Sequence, residues 1–352
     1  MAAKTAAEVT RLSVDDKKPE VRNKIVVGGE GENAVASLTD ALKKAKPGDT
    51  IILAKANVKI PSLKLARTQF KDLIIEGTTH DGRPTVLEAN GNLRFLINVD
   101  GIESIRFKNI EFDGAGKSDH CLQVSGAAPG FTVEGCTMKG AKTAAILFVN
   151  AAGTESQPLL LDKVRFQLQT RQTAVILETT GQNDTRRLTI RECRFEGVGG
   201  QVGKGIRFEA ATTDVEISNN RFFSLESALY FGKPIAKTIK AQIASNTIYD
   251  SRTGLEFDLN NLAANAFDLT VRQNYFGKTP QVAQGNGGKG AVPGVTADTN
   301  AFGPDSKPGN VDLKLSQLDK PLLPAPEANN DATFLRFAGG QPELNGKKIG
   351  AP

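Results

Sequence analysis

Seven segments of this chain repeat one pattern at a nearly constant spacing, and this repeat limits the chain to a small set of folds. Each segment places apolar residues at its first and third positions; the segments are Ile105–Phe112, Phe131–Met138, Leu159–Phe166, Leu188–Phe195, Val215–Phe222, Ala241–Ile248 and Leu269–Phe276. Their third residues are separated by 26, 28, 29, 27, 26 and 28 positions. Such a period predicts a solenoid, in which each repeat buries its apolar face against its neighbours.

The repeating units are strands, because their apolar residues alternate with a period of two. The sixth position of each segment interrupts the alternation and the eighth resumes it with a second apolar column, which indicates a corner between two strands. In the last three segments the sixth residues are Asn220, Asn246 and Asn274. Stacked turns would place them about 4.8 Å apart. We therefore predict an asparagine stack whose amides bond along the axis.

A third short strand completes most repeats. These strands are Cys121–Val124, Ala145–Phe148, Ala174–Leu177, Gly205–Phe208, Ala228–Phe231 and Gly254–Phe257. A doubly wound α/β protein would need long amphipathic helices between its strands, and residues 70–278 contain no such pattern. The leucine consensus of a leucine-rich repeat is also absent. The sequence therefore predicts an all-β fold, a right-handed parallel β-helix built as a three-sheet solenoid of eight or nine turns.

The two ends of the solenoid differ from its middle. Near residues 36–46, apolar residues on one helical face, followed by Pro47-Gly48, predict an N-terminal capping α-helix. A cap is needed because a terminal turn exposes unpaired strand edges and core. We divide the chain into a polar N-terminal linker (1–24), the β-helix (25–278) and a C-terminal tail rich in Pro and Gly (279–352). We expect this tail to pack on the solenoid and cover one face or the last turn.

The pattern Val-x-Ile-x-x-Asn-x-Phe, preceded by Gly-Ile-x-Phe, resembles the PbH1 repeat of the pectin-lyase-like superfamily of parallel β-helix proteins. The segment from Ala36 to Leu53, with its helix and Pro-Gly-Asp turn, is similar to the cap of that superfamily. The resemblance covers roughly residues 25–278. This superfamily includes lyases, hydrolases, epimerases and non-enzymatic modules, so the resemblance implies a fold and leaves the activity open.

The resemblance also implies that a substrate would lie beside the sheet that contains the Gly-Ile-x-Phe strands. Strand alternation turns a polar set of side chains outward there, and these are the candidate catalytic residues: Glu178, Arg207, Glu209, Tyr230 and Asp258. A lyase would use Arg207 to bind the substrate carboxylate and acidic residues to hold Ca²⁺. A hydrolase would use Glu209 and Asp258, which stacking separates by about 9.6 Å. Alternatively, these residues only form a solvated sheet surface.

Two observations argue against catalysis at this face. The chain has no Arg-x-Pro-x-x-Arg as in many pectate lyases, and no Gly-His-Gly as in polygalacturonases. The apolar side chains of Leu147 and Ile176 also point outward in the middle of the proposed groove, which predicts that something covers them. The C-terminal tail is the candidate cover.

A second outward column consists of arginines. Arg165, Arg194 and Arg221 occupy the seventh position of three consecutive repeats. Like charges about 5 Å apart repel each other unless they are neutralised. The column is therefore a candidate anion-binding site for sulfate, uronate or an acidic partner. The alternative is pairing with neighbouring carboxylates such as Glu192.

Composition narrows the function classes. The chain has 44 basic and 39 acidic residues and a formal charge of +5, a mild excess that is compatible with an acidic polysaccharide. The chain contains no basic run with interleaved aromatics of the kind that indicates nucleic-acid binding. It also contains no apolar stretch long enough for a membrane span. We interpret the three cysteines, Cys121, Cys136 and Cys193, as buried apolar residues, and with only two histidines we predict no metal site rich in histidine.

These observations leave two functional hypotheses. The first is a non-catalytic β-helix module for polysaccharide binding or cell-surface scaffolding, as part of a longer bacterial protein and with an acidic polysaccharide or cell-surface component as its partner. The second is a carbohydrate-active enzyme, a lyase or hydrolase of an anionic polysaccharide, with Ca²⁺ as the cofactor of a lyase. We expect a monomer in an extracytoplasmic or secreted location. The polar start after Met1 carries no signal sequence, so we expect a native signal or upstream domain to be absent from this chain.

Overall fold

The chain winds into a right-handed parallel β-helix, as predicted, and has about ten turns instead of the expected eight or nine. The computed structural model describes residues 23–66, 68–179, 184–232, 238–260, 263, 265–318 and 341–352. The linker predicted at residues 1–24 lies almost wholly outside the described residues. No helix in the described part of the chain is long and apolar enough to cross a membrane.

Each complete turn contributes one strand to each of three parallel sheets. Sheet 1 consists of Leu63–Leu65, Leu93–Asp100, Ser118–Ala127, Ala144–Ala152, Thr173–Glu178, Lys204–Phe208, Ser227–Phe231, Thr253–Asp258 and Gln281–Asn286. Sheet 2 consists of Lys24–Val27, Thr50–Leu53, Ile74–Gly77, Arg106–Lys108, Thr132–Glu134, Leu159–Asp162, Thr185–Arg191, Thr212–Ser218, Ile239–Ala244, Phe267–Arg272 and Val295–Asp298. Sheet 3 consists of Asn57–Ile60, Arg83–Ala89, Ile110–Asp113, Thr137–Lys139, Arg165–Leu168, Arg194–Gly197, Arg221–Phe223, Thr247–Tyr249, Tyr275–Gly277, Asn300–Phe302 and Leu315–Gln317.

Short elements complete the fold. Ala34–Val35 pairs with the first strand of sheet 2, and Thr79–His80 forms an antiparallel pair with Arg83–Ala89. A second antiparallel pair joins Glu343–Leu344 to Lys347–Lys348. A 3-10 helix covers Thr68–Phe70.

The register stacks like residues over like, which confirms the predicted core column. Phe166, Phe195 and Phe222 are successive partners in sheet 3, and their rings stack with centroids 4.8 and 4.4 Å apart. The asparagine stack is also confirmed. The Nδ2 of Asn220 donates to the Oδ1 of Asn246 at 3.0 Å, and Asn246 repeats this bond to Asn274 at 3.0 Å. The stack is longer than predicted, because Asn274 donates to Asn300 in the next turn at 2.9 Å.

The N-terminal cap is an α-helix, Leu38–Lys44, somewhat shorter than the predicted 36–46. Ser37 caps its start, since the Ser37 hydroxyl accepts a bond from the Asp40 amide at 3.1 Å. Leu38, Ala41 and Leu42 are buried and belong to the main core. The helix therefore closes the first turn of the solenoid with its apolar face.

The solenoid extends beyond residue 278, where the sequence placed the start of the tail. Gln281–Asn286, Val295–Asp298 and Asn300–Phe302 continue the three parallel ladders. Their Gly- and Pro-rich surroundings form the connections between short strands, which explains both the loop-like composition and the extra turn. Of the tail, residues 319–340 lie outside the described residues, and residues 341–352 return along the solenoid.

Candidate functional site

The outward face of sheet 1 carries the five predicted catalytic residues. Arg207 and Tyr230 are register partners in adjacent turns, and Glu256 follows in the next turn. Arg207 forms an ion pair with Glu209, the residue that directly follows its strand. The Oδ1 of Asp258 accepts bonds from the backbone and side chain of Asn260 at 3.1 and 2.9 Å. Arg207, Glu209 and Tyr230 thus form one cluster.

Glu178 and Asp258 remain apart from this cluster. Glu178 ends its strand and is exposed, and within the described part of the chain no hydrogen bond or ion pair joins it to the other predicted residues. Glu209 and Asp258 lie two turns apart with Gly232 between them, since their preceding residues, Phe208, Phe231 and Phe257, are successive register partners. Among the described residues, no group of three or more His, Cys, Asp or Glu side chains converges in a way that would hold a metal ion.

Tyr230 lies between two cations. The Lys204 ammonium is 4.4 Å from the centre of the Tyr230 ring, and the Arg207 guanidinium is 5.6 Å from it. The Nζ of Lys204 also lies 3.2 Å from the Oε2 of Glu256, and Asn286 donates to the Oε1 of Glu256 at 3.0 Å. Partial burial and the carboxylates of Glu209, Asp258 and Glu256 raise the pKa of the Tyr230 phenol. The phenol therefore keeps its proton at neutral pH.

The apolar side chains predicted on this face are buried. Leu147 and Ile176 are only 5% and 7% exposed, although they point away from the core and form a separate cluster with Ala144. The predicted cover is the C-terminal tail (279–352), of which residues 319–340 lie outside the described residues. In the preceding turns Asn98 and His120 are also buried, and burial lowers the pKa of the His120 imidazole.

The arginine column lies in a groove of about 870 Å³ on the outward face of sheet 3. Arg165, Arg194 and Arg221 are successive register partners, one in each turn. The Nη2 of Arg165 lies 3.1 Å from the Oε2 of Glu196, and Arg194 forms an ion pair with the same carboxylate. Arg221 donates to the backbone oxygen of Pro352.

The carboxylate that pairs with Arg165 and Arg194 belongs to Glu196, whereas the sequence suggested Glu192. Glu192 lies at the groove edge, where it faces Lys163 at 3.8 Å. Glu196 is 9% exposed and stands two residues after Arg194 on the same strand. Alternation along a strand places such residues on one face, so this partner was readable from the sequence.

The two halves of the groove carry different charged side chains. Towards the N-terminal end, Lys139 lies 2.5 Å from Glu111 and 3.5 Å from Asp113. Acidic and basic side chains thus compensate each other there. Towards the C-terminal end, Arg165 and Arg194 share the buried carboxylate of Glu196, and Arg221 donates to the backbone oxygen of Pro352. The C-terminal half of the groove is therefore the part lined by the arginine column.

Comparison with known proteins identifies the architecture. No protein-family model and no curated sequence matches this chain. Among solved structures, endo-xylogalacturonan hydrolase from Aspergillus tubingensis is 12% identical with a TM-score of 0.54, over 85% of this chain and 96% of that chain. Pectate lyase Pel9A is 13% identical with a TM-score of 0.52, over 94% and 95% of the two chains. The chain has the pectin-lyase-like β-helix fold.

One residue of the sheet 1 cluster in this β-helix was not predicted from the sequence. Lys204 faces outward together with Arg207 because strict alternation fails at the start of the sheet 1 strands. In neighbouring turns two consecutive residues, Ala174 and Val175, both belong to the core, as do Ala228 and Leu229. One sequence signal could have revealed this. In most turns a small residue precedes the first large apolar residue of the strand, as Gly205 precedes Ile206 here.

Proposed function

We propose that this protein is a non-catalytic β-helix module that binds an acidic polysaccharide in the sheet 3 groove. The observation that carries the proposal is the arginine column, with one guanidinium in each of three consecutive turns and the carboxylate of Glu196 shared by Arg165 and Arg194. The spacing along the axis is about 4.8 Å. A guanidinium matches the two oxygens of a carboxylate or sulfate. A uronate chain lying along the axis would contact the half-buried Arg165 and Arg221 and pass over Arg194, which is 8% exposed between them.

The proposed ligand class, acidic polysaccharides, agrees with the names of two proteins that share this fold. Two proteins with this fold are named for xylogalacturonan and pectate. On sheet 1, by contrast, Glu209 and Glu256 are each paired with a basic side chain. This arrangement leaves few carboxylates to act as base or metal ligand and favours binding over catalysis. We infer an extracytoplasmic location, where such polysaccharides or cell-surface components are met.

Replacing an arginine of the column tests the proposal. Arg194→Ala should weaken binding to heparin resin and to polygalacturonate by about tenfold, because a charge-assisted contact is lost and Glu196 becomes less neutralised. Arg106→Ala is the matched control, since Arg106 is exposed on sheet 2 and the charge change is equal. Unchanged binding by Arg194→Ala, or equal weakening in the control, would contradict a site in the groove.

The second candidate function is a polysaccharide lyase or hydrolase that works on sheet 1. It is favoured by the cluster around Tyr230, where Lys204 and Arg207 are placed to bind a substrate carboxylate and the protonated phenol is placed to donate a proton. Pectate, alginate and glycosaminoglycans, each with and without Ca²⁺, form the substrate panel. A rise in absorbance at 235 nm or new reducing ends, both lost in Tyr230→Phe, would establish this function. A flat response across the panel would remove it.

A further inference from the structure

Three aromatic rings lie on the outward face of sheet 3, directly beyond the arginine column. They belong to Phe223, Tyr249 and Tyr275, whose strand neighbours Phe222, Ile248 and Phe276 point into the main core. The rings of Phe223 and Tyr249 are nearly parallel, with an interplanar angle of 15° and centroids 6.4 Å apart. The aromatic patch thus extends the groove by two turns, towards the C-terminal end of the solenoid.

This aromatic patch is covered by the C-terminal segment 347–352. Ile349 is 1% exposed and belongs to the same apolar cluster as Tyr249 and Tyr275. The segment runs opposite to the direction in which turns are added. Lys347 contacts Asp298 at 2.7 Å, the Gly350 amide donates to the carbonyl of Gln273 at 2.7 Å, and the Ala351 amide donates to the hydroxyl of Thr247 at 2.8 Å.

The segment 347–352 is attached to the solenoid by single hydrogen bonds, one ion pair and two buried side chains, and the described residues show no strand ladder between them. Lys347 and Asp298 form an ion pair whose side chains are 52% and 61% exposed, and such pairs contribute little to stability. The segment's buried apolar residues are Ile349 and Ala351, which are 1% and 0% exposed. The segment ends beside Arg221, which donates to the backbone oxygen of Pro352. It therefore occupies the path that a ligand chain would follow after passing the last arginine.

We propose that Phe223, Tyr249 and Tyr275 form a second subsite of the groove, which stacks on sugar rings of the same acidic polysaccharide. The apolar face of a pyranose packs well on an aromatic face. In this structure Ile349 takes that position, and a ligand must displace the segment to reach the rings. The inference rests on the proposed function. Because the ligand reaches the second subsite only when the segment is displaced, its apparent affinity falls in proportion to the fraction of molecules in which the segment is displaced. Only chains long enough to pass Arg221 gain from the second subsite.

Tyrosine fluorescence can report on the covered rings. The chain has no Trp and only three Tyr, so in a Tyr230→Phe background the signal comes from Tyr249 and Tyr275 alone. In that background, Ile349→Asp places a charge in the apolar cluster and should release the segment. Asn345→Asp is the matched control, because Asn345 is exposed and the charge change is the same. Acrylamide quenching should rise by about twofold in Ile349→Asp and stay unchanged in the control.

Binding is then measured by calorimetry with a galacturonate trimer and a galacturonate decamer. Ile349→Asp should bind the decamer roughly tenfold more tightly than Asn345→Asp does, while both bind the trimer equally. Equal decamer affinity in the two variants would overturn the inference and leave the proposed function standing, provided that the trimer binds. If neither ligand binds either variant, both the inference and the proposed function fail.

A second variant covers the case in which Ile349→Asp does not fold. Thr247→Cys with Ala351→Cys should form a disulfide that holds the segment in place. Burial raises the pKa of each native thiol to about 12, so these thiols should not compete. The oxidised form should bind the decamer no more tightly than the trimer, and reduction should restore the difference. Equal decamer affinity in both redox forms would overturn the inference.

Discussion

The buried asparagines illustrate how single residues hold a turn of this solenoid. At the corner between sheets 2 and 3 the chain changes direction, and backbone groups there need partners outside the ladders. The Oδ1 of Asn246 accepts from the Asn220 backbone amide at 2.9 Å, while its Nδ2 donates to the carbonyl of Ile217 at 2.9 Å. One side chain therefore satisfies backbone groups of the turn before it and continues the amide stack to the next.

Replacing one asparagine of the stack should destabilise the protein strongly. Asn246→Ala leaves the buried amide of Asn220 and the carbonyl of Ile217 without partners, and we expect a loss of about 2–4 kcal/mol in the free energy of unfolding. Urea unfolding followed by circular dichroism measures it. Asn57→Ala is the control, because Asn57 makes one exposed hydrogen bond, to Glu88. A loss in Asn246→Ala no larger than in this control would contradict the role given to the stack.

At the scale of the element, each strand presents two chemically different faces. The strand Arg194–Gly197 turns Phe195 into the ring stack, while Arg194 and Glu196 face the groove. The core side of the strand fixes the register. The arginines of successive turns must therefore lie above one another, even though their charges repel. Glu196, almost buried between Arg165 and Arg194, offsets that repulsion.

Removing the carboxylate of Glu196 should lower the free energy of unfolding and strengthen binding to heparin. Glu196→Gln leaves two arginines without their shared counter-ion, and we expect a loss of about 1–3 kcal/mol in the free energy of unfolding. Elution from heparin resin should shift to higher salt, since the positive charge in the groove grows. Glu192→Gln is the matched control, with the same charge change at the exposed groove edge. Identical elution of the two variants would contradict the assignment of the site.

At the scale of the molecule, each turn is stabilised by its contacts with the turns on either side. Each turn contacts only its neighbours, so the ends are the natural starting points for unfolding. At the N-terminal end the helix Leu38–Lys44 places Leu38, 1% exposed, on the first turn. The capping helix thus protects both the core and the strand edges of the first turns.

Weakening the cap should open the solenoid from its N-terminal end. Leu38→Ala creates a cavity beneath the helix and should lower the free energy of unfolding by about 2–5 kcal/mol. Hydrogen exchange should then lose protection first in Lys24–Val27 and Thr50–Leu53, and last in the middle of the solenoid. Lys43→Ala, at an exposed position of the same helix, should change neither. Uniform loss of protection along the chain would contradict sequential opening.

Much of the fold was readable from the sequence because the repeat is a local property. Apolar residues at fixed positions placed the Phe195 column and the Asn246 stack correctly. The sequence predicted only part of the sheet 1 cluster. Strand alternation placed Arg207 and Tyr230 on the outward face, but it failed for Lys204, because two consecutive residues face the core at the start of these strands. The end of the solenoid was misplaced at residue 278, because the last strands are short and lie among Gly and Pro.

The sequence by itself determined that like residues stack turn upon turn, since the spacing of apolar residues leaves no other way to bury them. The tertiary structure alone decided which outward side chains meet across turns, such as Glu196 with Arg165, and that Ile349 covers Tyr249. The physical reason is separation along the chain. Ile349 lies about one hundred residues beyond Tyr249, and no periodic pattern connects the two.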